Sequence, residues 1–264
     1  MHLLDAVETQ SPMDRTHLQA FQTLYRFAAL ALADPRIGSG KILANRGTQR
    51  LVNAAAGMLR DDAAHHPGEL GWGERPVAEL VPQEVFSLLP ASNASLNADY
   101  ERLFGLLVSC SCPPYETEYI DSKLSFQRSN TLADLAGYYR AFGWTPSLTN
   151  PERPDHISLE LEFIATLCGM TLNAGDSDQA AICRDAQASF LTEHLVWWVP
   201  ALGKLLAYED PKGYYGAVGR FLPALFPFHR ALLGLPPHRG PAQPSLIERP
   251  DECDGCLLQP SELG

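Results

Sequence analysis

Two cysteine pairs, Cys110-Ser-Cys112 and Cys253-Asp-Gly-Cys256, have the residue types and spacing to bind a metal. Four thiolates close the tetrahedral sphere of a single Zn²⁺, and the Asp-Gly inside the second pair is a turn of the kind that zinc knuckles use. A sphere filled by sulfur leaves no position for substrate, so such an ion is structural and would pin a tail with little core of its own. A second pattern is His156, followed one helical turn later by Glu160. Read alone, these two form a buried ion pair or hydrogen bond, with Asp155 as the N-cap of the helix they begin. Asn at position 155 would then keep most of the capping and change stability by well under about 1 kcal/mol. Combined with the cysteine pairs, His156 and Glu160 give a rival class, a helical metal-binding redox protein or metalloenzyme.

Tyr115, Glu116, Glu118 and Tyr119 come directly after two prolines. Pro113 and Pro114 fix the backbone and remove two donors, so the segment is pre-organised to meet an extended peptide. Its acids can face arginines, and its tyrosines can cover apolar side chains while keeping a hydroxyl wet. Packing of both tyrosines onto the body accounts equally well for their presence. His194, Trp197 and Trp198 share one helical face and read as core with a satisfied histidine. Enzyme signatures are missing: there is no HExxH, no paired ExxH, no G-x-S-x-G and no glycine-rich dinucleotide turn. Ile37-Gly-Ser-Gly-Lys-Ile42 falls short of a phosphate loop, because Pro35 stands where the first glycine belongs and Ile42 replaces the metal-binding hydroxyl.

Helices must position these groups, since no stretch sustains the period-two alternation of a strand. Asp14 caps a first helix to about Ala33, and a second runs from about Asn45 to Ala64. A Gly/Pro-rich loop at 65–76 precedes short helices near Pro82 to Leu89 and Leu96 to Leu107. A longer helix from about Ser122 to Phe142 stops at Gly143. Helices follow at about His156 to Asn173, Asp178 to Tyr208 with a break at Pro200, and Gly213 to Leu233. On a helical wheel the helix after His156 carries two apolar arcs, with Glu160 between them, so it is central to the fold. The expected architecture is an all-α protein: an N-terminal segment at 1–13, a single helical domain at 14–235 and a Pro-rich C-terminal tail at 236–264.

With 264 residues, 45% of them apolar, the chain can fill a sizeable core. A net charge of -11 without Lys/Arg clusters excludes nucleic acid as a partner and suits a basic one. Neither a run of about 18 apolar residues nor a basic, apolar leader occurs, so the expectation is a cytoplasmic protein with no membrane insertion and with its six cysteines reduced.

Four segments carry a likeness to a known family. They are Tyr100-Glu-Arg-Leu-Phe104, then Cys112-Pro-Pro-Tyr-Glu-Thr-Glu-Tyr119, then Glu152-Arg-Pro-Asp-His156 with ISLELEFIATL, and Phe190-Leu-Thr-Glu-His-Leu195 with VWWVPALGKLL. In this order they resemble the helical chaperones that mature molybdenum oxidoreductases, the TorD/DmsD/NarJ group. The Cys-Pro-Pro form is similar to the branch serving type II dimethyl sulfoxide reductase-like enzymes. The likeness covers roughly Thr16 to Leu235 and departs at Arg153, where that group often carries proline. It implies a TorD-like fold and a non-enzymatic, system-specific chaperone. Such a protein would bind the twin-arginine signal peptide, the apo catalytic subunit of a molybdopterin oxidoreductase, or both, assisting cofactor insertion and delaying export. By the same resemblance Asp155 and His156 take part in signal-peptide recognition, and a carboxylate beside a helix start suits a guanidinium. Tyr115, Glu116, Glu118, Tyr119 and Glu160 complete the candidate client site. No cofactor is required, and direct contact with molybdopterin guanine dinucleotide or GTP is left open.

Overall fold

The computed structural model describes residues 13–65, 67–105, 111–120, 125–145 and 152–240. Among them the elements are α1 (Arg15–Leu32), α2 (Ser39–Leu43), α3 (Arg46–Ala63), α4 (Pro82–Ser87), α5 (Asn93–Phe104), α6 (Ser125–Ala141), α7 (Ile157–Leu172), α8 (Ser177–Phe190), α9 (Val199–Glu209), α10 (Tyr214–Phe221) and α11 (Phe226–Leu232). The fold is all-α. The one extended pairing among the described residues is an isolated antiparallel bridge between Tyr115 and His156.

α7 is the central helix, packed along α1 on one side and α8 on another. Ile157, Leu161, Ile164 and Cys168 from one arc and Phe163 and Leu167 from the other are fully buried, whereas Leu159 is half-buried and Met170, on the second arc, is exposed. α1 buries Phe21, Leu24, Tyr25, Ala28, Ala31 and Leu32 in the same core, with the rings of Phe21 and Tyr25 packed on His229. α9 and α10 form a second packed pair, with α4 against α10. At the centre His229 bridges the Tyr25 hydroxyl at 3.0 Å and Gln187 Oε1 at 3.2 Å. Burial pushes its imidazole down to about 3, so it is neutral.

Local signals set most helix ends. Asp14 Oδ1 accepts the His17 amide at 2.8 Å while His17 Nδ1 accepts the Asp14 amide at 3.3 Å, a reciprocal cap for α1. Asn45 Oδ1 likewise takes the amides of Gly47 and Thr48 to start α3. Gly143, at φ 63°, ends the segment after α6 in the left-handed region that residues with a Cβ avoid. α5 starts at Asn93, earlier than the expected Leu96, because Ser92 caps it through the Ser95 amide at 3.1 Å.

Two expected helices are broken where tertiary structure or proline intervenes. The stretch after Asp178 leaves α geometry at Leu191, in a π segment over Leu191–Leu195, and Pro200 sits in the first turn of α9. The stretch after Gly213 divides into α10 and α11 around a 3₁₀ turn at Leu222–Ala224, because Pro223 supplies no amide to continue the ladder.

The Gly/Pro-rich loop is held by charge. Buried Arg230 of α11 donates through Nε to Glu74 Oε1 at 2.8 Å and through Nη2 to Glu74 Oε2 at 2.5 Å, and it also reaches the carbonyls of Glu69 and Leu235. Glu74 Oε2 in turn accepts the Gly71 amide at 2.6 Å. The first residues of the expected tail run beside this loop, with the Trp72 amide donating to the His238 carbonyl at 2.8 Å. The rest of that tail, 241–264, lies outside the described residues. Among the described residues no helix is long and apolar enough to cross a membrane.

Candidate functional site

Segments far apart in sequence meet at the N-terminal end of α7 in a clasp. Ile157 donates its amide to the Pro114 carbonyl at 2.8 Å and Glu116 donates its amide to the Asp155 carbonyl at 2.9 Å, flanking the Tyr115–His156 bridge. The Asp155 side chain is fully buried. Its Oδ2 accepts the Thr117 amide at 3.2 Å and the Thr117 hydroxyl at 2.7 Å. Arg153 completes the set, with Nε 3.0 Å from Oδ1 and Nη2 2.7 Å from Oδ2. The Tyr139 hydroxyl donates to the Pro154 carbonyl at 2.7 Å and fixes the loop from below.

This arrangement corrects the expected capping. His156, not Asp155, is the N-cap of α7: its Nδ1 accepts the Ser158 amide at 3.2 Å and lies 2.7 Å from the Ser158 hydroxyl. The Asp155 carboxylate is claimed by Arg153 and by Thr117, 38 residues away, so the next residue takes the capping position.

The expected His156–Glu160 pair is not made either, because each group is engaged elsewhere. His156 Nε2 turns towards the Tyr100 hydroxyl at 3.5 Å, and Glu160 Oε2 accepts from Trp198 Nε1 at 3.3 Å. Glu160 Oε1 has no hydrogen-bond partner among the described residues. Burial pushes the His156 imidazole down to about 4, so it is neutral, and pushes the Glu160 carboxyl up, towards its protonated form.

The raised Glu160 carboxyl gives a signed pH prediction. Above the unfolded carboxyl pKa the folded state holds a proton that the unfolded state has released, so wild-type stability falls as pH rises towards the folded value. Glu160→Gln, an uncharged near-isostere, should therefore be no more than about 1 kcal/mol less stable than wild type at pH 7. Wild type should gain on the variant as pH is lowered to about 4. Urea unfolding at the two pH values checks this, and a loss above about 2 kcal/mol at pH 7 would mean that the charged form is needed.

Glu116 is buried in the same clasp. It accepts from Trp197 Nε1 at 2.9 Å and lies 3.0 Å from His194 Nδ1, while His194 Nε2 lies 3.2 Å from Asp134 Oδ2. With a carboxylate beside each ring nitrogen, the geometry favours the protonated ring, in which both nitrogens donate. Burial pushes the His194 imidazole down, but Glu116 and Asp134 more than reverse it; burial also pushes the Glu116 carboxyl up. His194 lies in the π segment and both tryptophans follow it, with Trp198 packed on Tyr119 at 5.0 Å between centroids.

The seven candidate client residues thus gather in one place but differ in access. Glu116, Tyr119, Asp155, His156 and Glu160 are interior, and the Tyr119 hydroxyl donates to the Pro113 carbonyl at 3.0 Å. Tyr115 and Glu118 are half-buried and face solvent. Tyr115 donates its hydroxyl to Glu152 at 3.0 Å and carries the Arg153 guanidinium 4.2 Å above its ring. Sequence reasoning passed over Thr117, Glu152 and Tyr139, and it met Arg153 only as a departure from a pattern. All four act through partners distant in sequence or through loop geometry, which periodicity does not encode.

Of the cysteines expected to hold zinc, Cys112 is fully buried and its amide donates to the Leu103 carbonyl at 3.0 Å. Cys110, Cys253 and Cys256 lie outside the described residues. Among the described residues the ligand atoms of Asp134, Glu193 and His194 lie within 4.8 Å of one another, beside a cavity of about 540 Å³. This trio shares no member with the cysteines, His156 or Glu160. Its closeness is accounted for by hydrogen bonds: His194 to Asp134, and the Tyr138 hydroxyl to Glu193 at 2.8 Å.

The polar groups of the clasp are largely spent on shaping it. The family described as nitrate reductase delta subunit matches residues 76–203, a span that holds the whole clasp. Chaperone protein TorD of Aliivibrio salmonicida is 29% identical over 48% of this chain and 59% of its own length. The selenate reductase assembly chaperone protein of Thauera selenatis is 35% identical over 40% of this chain and 55% of its own. For the chlorate reductase assembly chaperone protein of Ideonella dechloratans the figures are 33%, 42% and 58%. The matched region therefore spans between half and two thirds of the length of these relatives. Over this span the chain is similar to proteins named as chaperones, two of them as reductase assembly chaperones.

Proposed function

We propose that this protein is a cytoplasmic, system-specific chaperone for the catalytic subunit of a molybdopterin oxidoreductase. It binds the subunit's twin-arginine leader, its apo form, or both, and assists cofactor insertion while delaying export. The mechanism is binding, with no covalent step and no resident cofactor. The observation that carries this reading is the convergence of Tyr100, 113–119, 153–156 and 190–198 on one clasp, with an acidic and aromatic rim at Tyr115, Glu118 and Glu152. An acidic rim on a chain of net charge -11 draws a basic segment, and the tyrosine face suits the apolar residues that follow it.

Calorimetry against synthetic leaders of molybdoenzymes encoded beside this gene tests the proposal. The expected result is stoichiometric binding that weakens as salt rises, because part of the attraction is charge pairing. A folded protein that binds none of these leaders at any salt concentration rules leader binding out, and failure to bind the apo subunit as well rules out the reading as a whole.

A further inference from the structure

Asp155, Thr117, Tyr115 and Glu118 form more than a structural knot. Together they make a receptor shaped for one guanidinium: a fully buried carboxylate accepting two N–H donors side by side, a hydroxyl 2.7 Å from Nη2, an aromatic face 4.2 Å away and a second carboxylate 3.9 Å from Nη1. The planar five-donor head of arginine fits this set, and an ammonium cannot span it. The present occupant is the chain's own Arg153, whose side chain is 44% exposed while that of Asp155 is 0% exposed. The receptor is thus built into the body of the protein. Its ligand hangs on the rim with its outer side in water, where rotation of its own side chain would vacate the site.

We propose that this is an arginine-binding site held shut by Arg153, and that an arginine of the client peptide binds by displacing it. The proposal rests on the reading above for the identity of the client, but the existence of the receptor does not. Arg153 then acts as an internal competitor. The apparent affinity for the peptide is the intrinsic affinity multiplied by the fraction of molecules in which the guanidinium has left. Displacement exchanges one cation for another on a buried carboxylate, so Asp155 has a counter-charge in both the closed and the peptide-bound states. The latch lowers affinity for any single arginine and favours ligands whose further residues engage Tyr115 and the acidic rim. It therefore selects against short basic peptides in general.

The test uses the full chain and its Arg153→Ala and Arg153→Lys variants, with methylguanidinium as probe and tetramethylammonium as the control of equal charge. Emptying the receptor lowers the melting temperature of Arg153→Ala, and millimolar methylguanidinium restores it. Tetramethylammonium does not, and wild type responds to neither. An arginine-bearing leader binds Arg153→Ala about tenfold more tightly than wild type. Arg153→Lys stays folded with a weaker plug and falls between the two. If methylguanidinium fails to stabilise either variant, there is no receptor and the proposal is overturned. If it stabilises Arg153→Ala but the leader binds that variant no more tightly than wild type, Arg153 is not a competitor and displacement is overturned. If the probe stabilises the variant and no leader binds any form, the receptor stands and the client reading fails.

Discussion

Asp155→Asn melts roughly 5–10 °C below wild type, the shift expected for a loss of about 2–3 kcal/mol in a domain of this size. An asparagine in an N-cap would be almost neutral. Asp155 is not in that role: it is fully buried, with two N–H donors from Arg153 and two donors from Thr117 converging on its oxygens. The amide that replaces one oxygen turns donors against donors and removes the charge that balances the guanidinium. Arg153 is partly exposed and can recover water, which keeps the loss below that of a fully buried broken pair. Urea denaturation with an unchanged slope measures it, and a loss below about 0.5 kcal/mol would return Asp155 to the capping role.

A larger loss is expected from Arg230→Met, about 3–5 kcal/mol. Both partners of the Arg230–Glu74 pair are buried, with side chains 2% and 1% exposed, so the substitution leaves an uncompensated carboxylate in the interior. It also removes the donors to the Glu69 and Leu235 carbonyls, releasing the 67–76 loop and the chain beyond α11 together. Adding Glu74→Gln to the variant should recover part of the loss, because the stranded charge is then gone. Limited proteolysis gives an independent reading: cleavage in 67–76 should rise in the single variant and subside in the double. Equal stability of the single and double variants would show that no charge was stranded.

What could be read from the sequence divides by the range of the interaction. Asp14 and Gly143 set helix ends through neighbours within a few residues, and their roles were legible. The two apolar arcs of α7 likewise gave its central place, since burial on two sides is written into periodicity. The segments that build the clasp were also visible, as a family likeness. Their chemistry was not. Asp155 reads as a cap until Thr117 and Arg153 claim it, and Glu160 lies one turn from His156 yet is drawn to Trp198. The π segment that holds His194 has no local sequence signal; Pro200, the obvious breaker, marks only the next helix's first turn.

The clasp also sets an order of events in time. Glu116 and His194 are 78 residues apart, and Thr117 and Asp155 are 38 apart, so the surface exists only once both later segments have been synthesised and α7 has docked on α1. Loops of that length close late, after local helices have formed, because the entropy of closure precedes the contacts that repay it. A half-made or partly unfolded chain can be helical throughout and still have no binding surface. On the proposed function, competence to bind therefore reports completed folding.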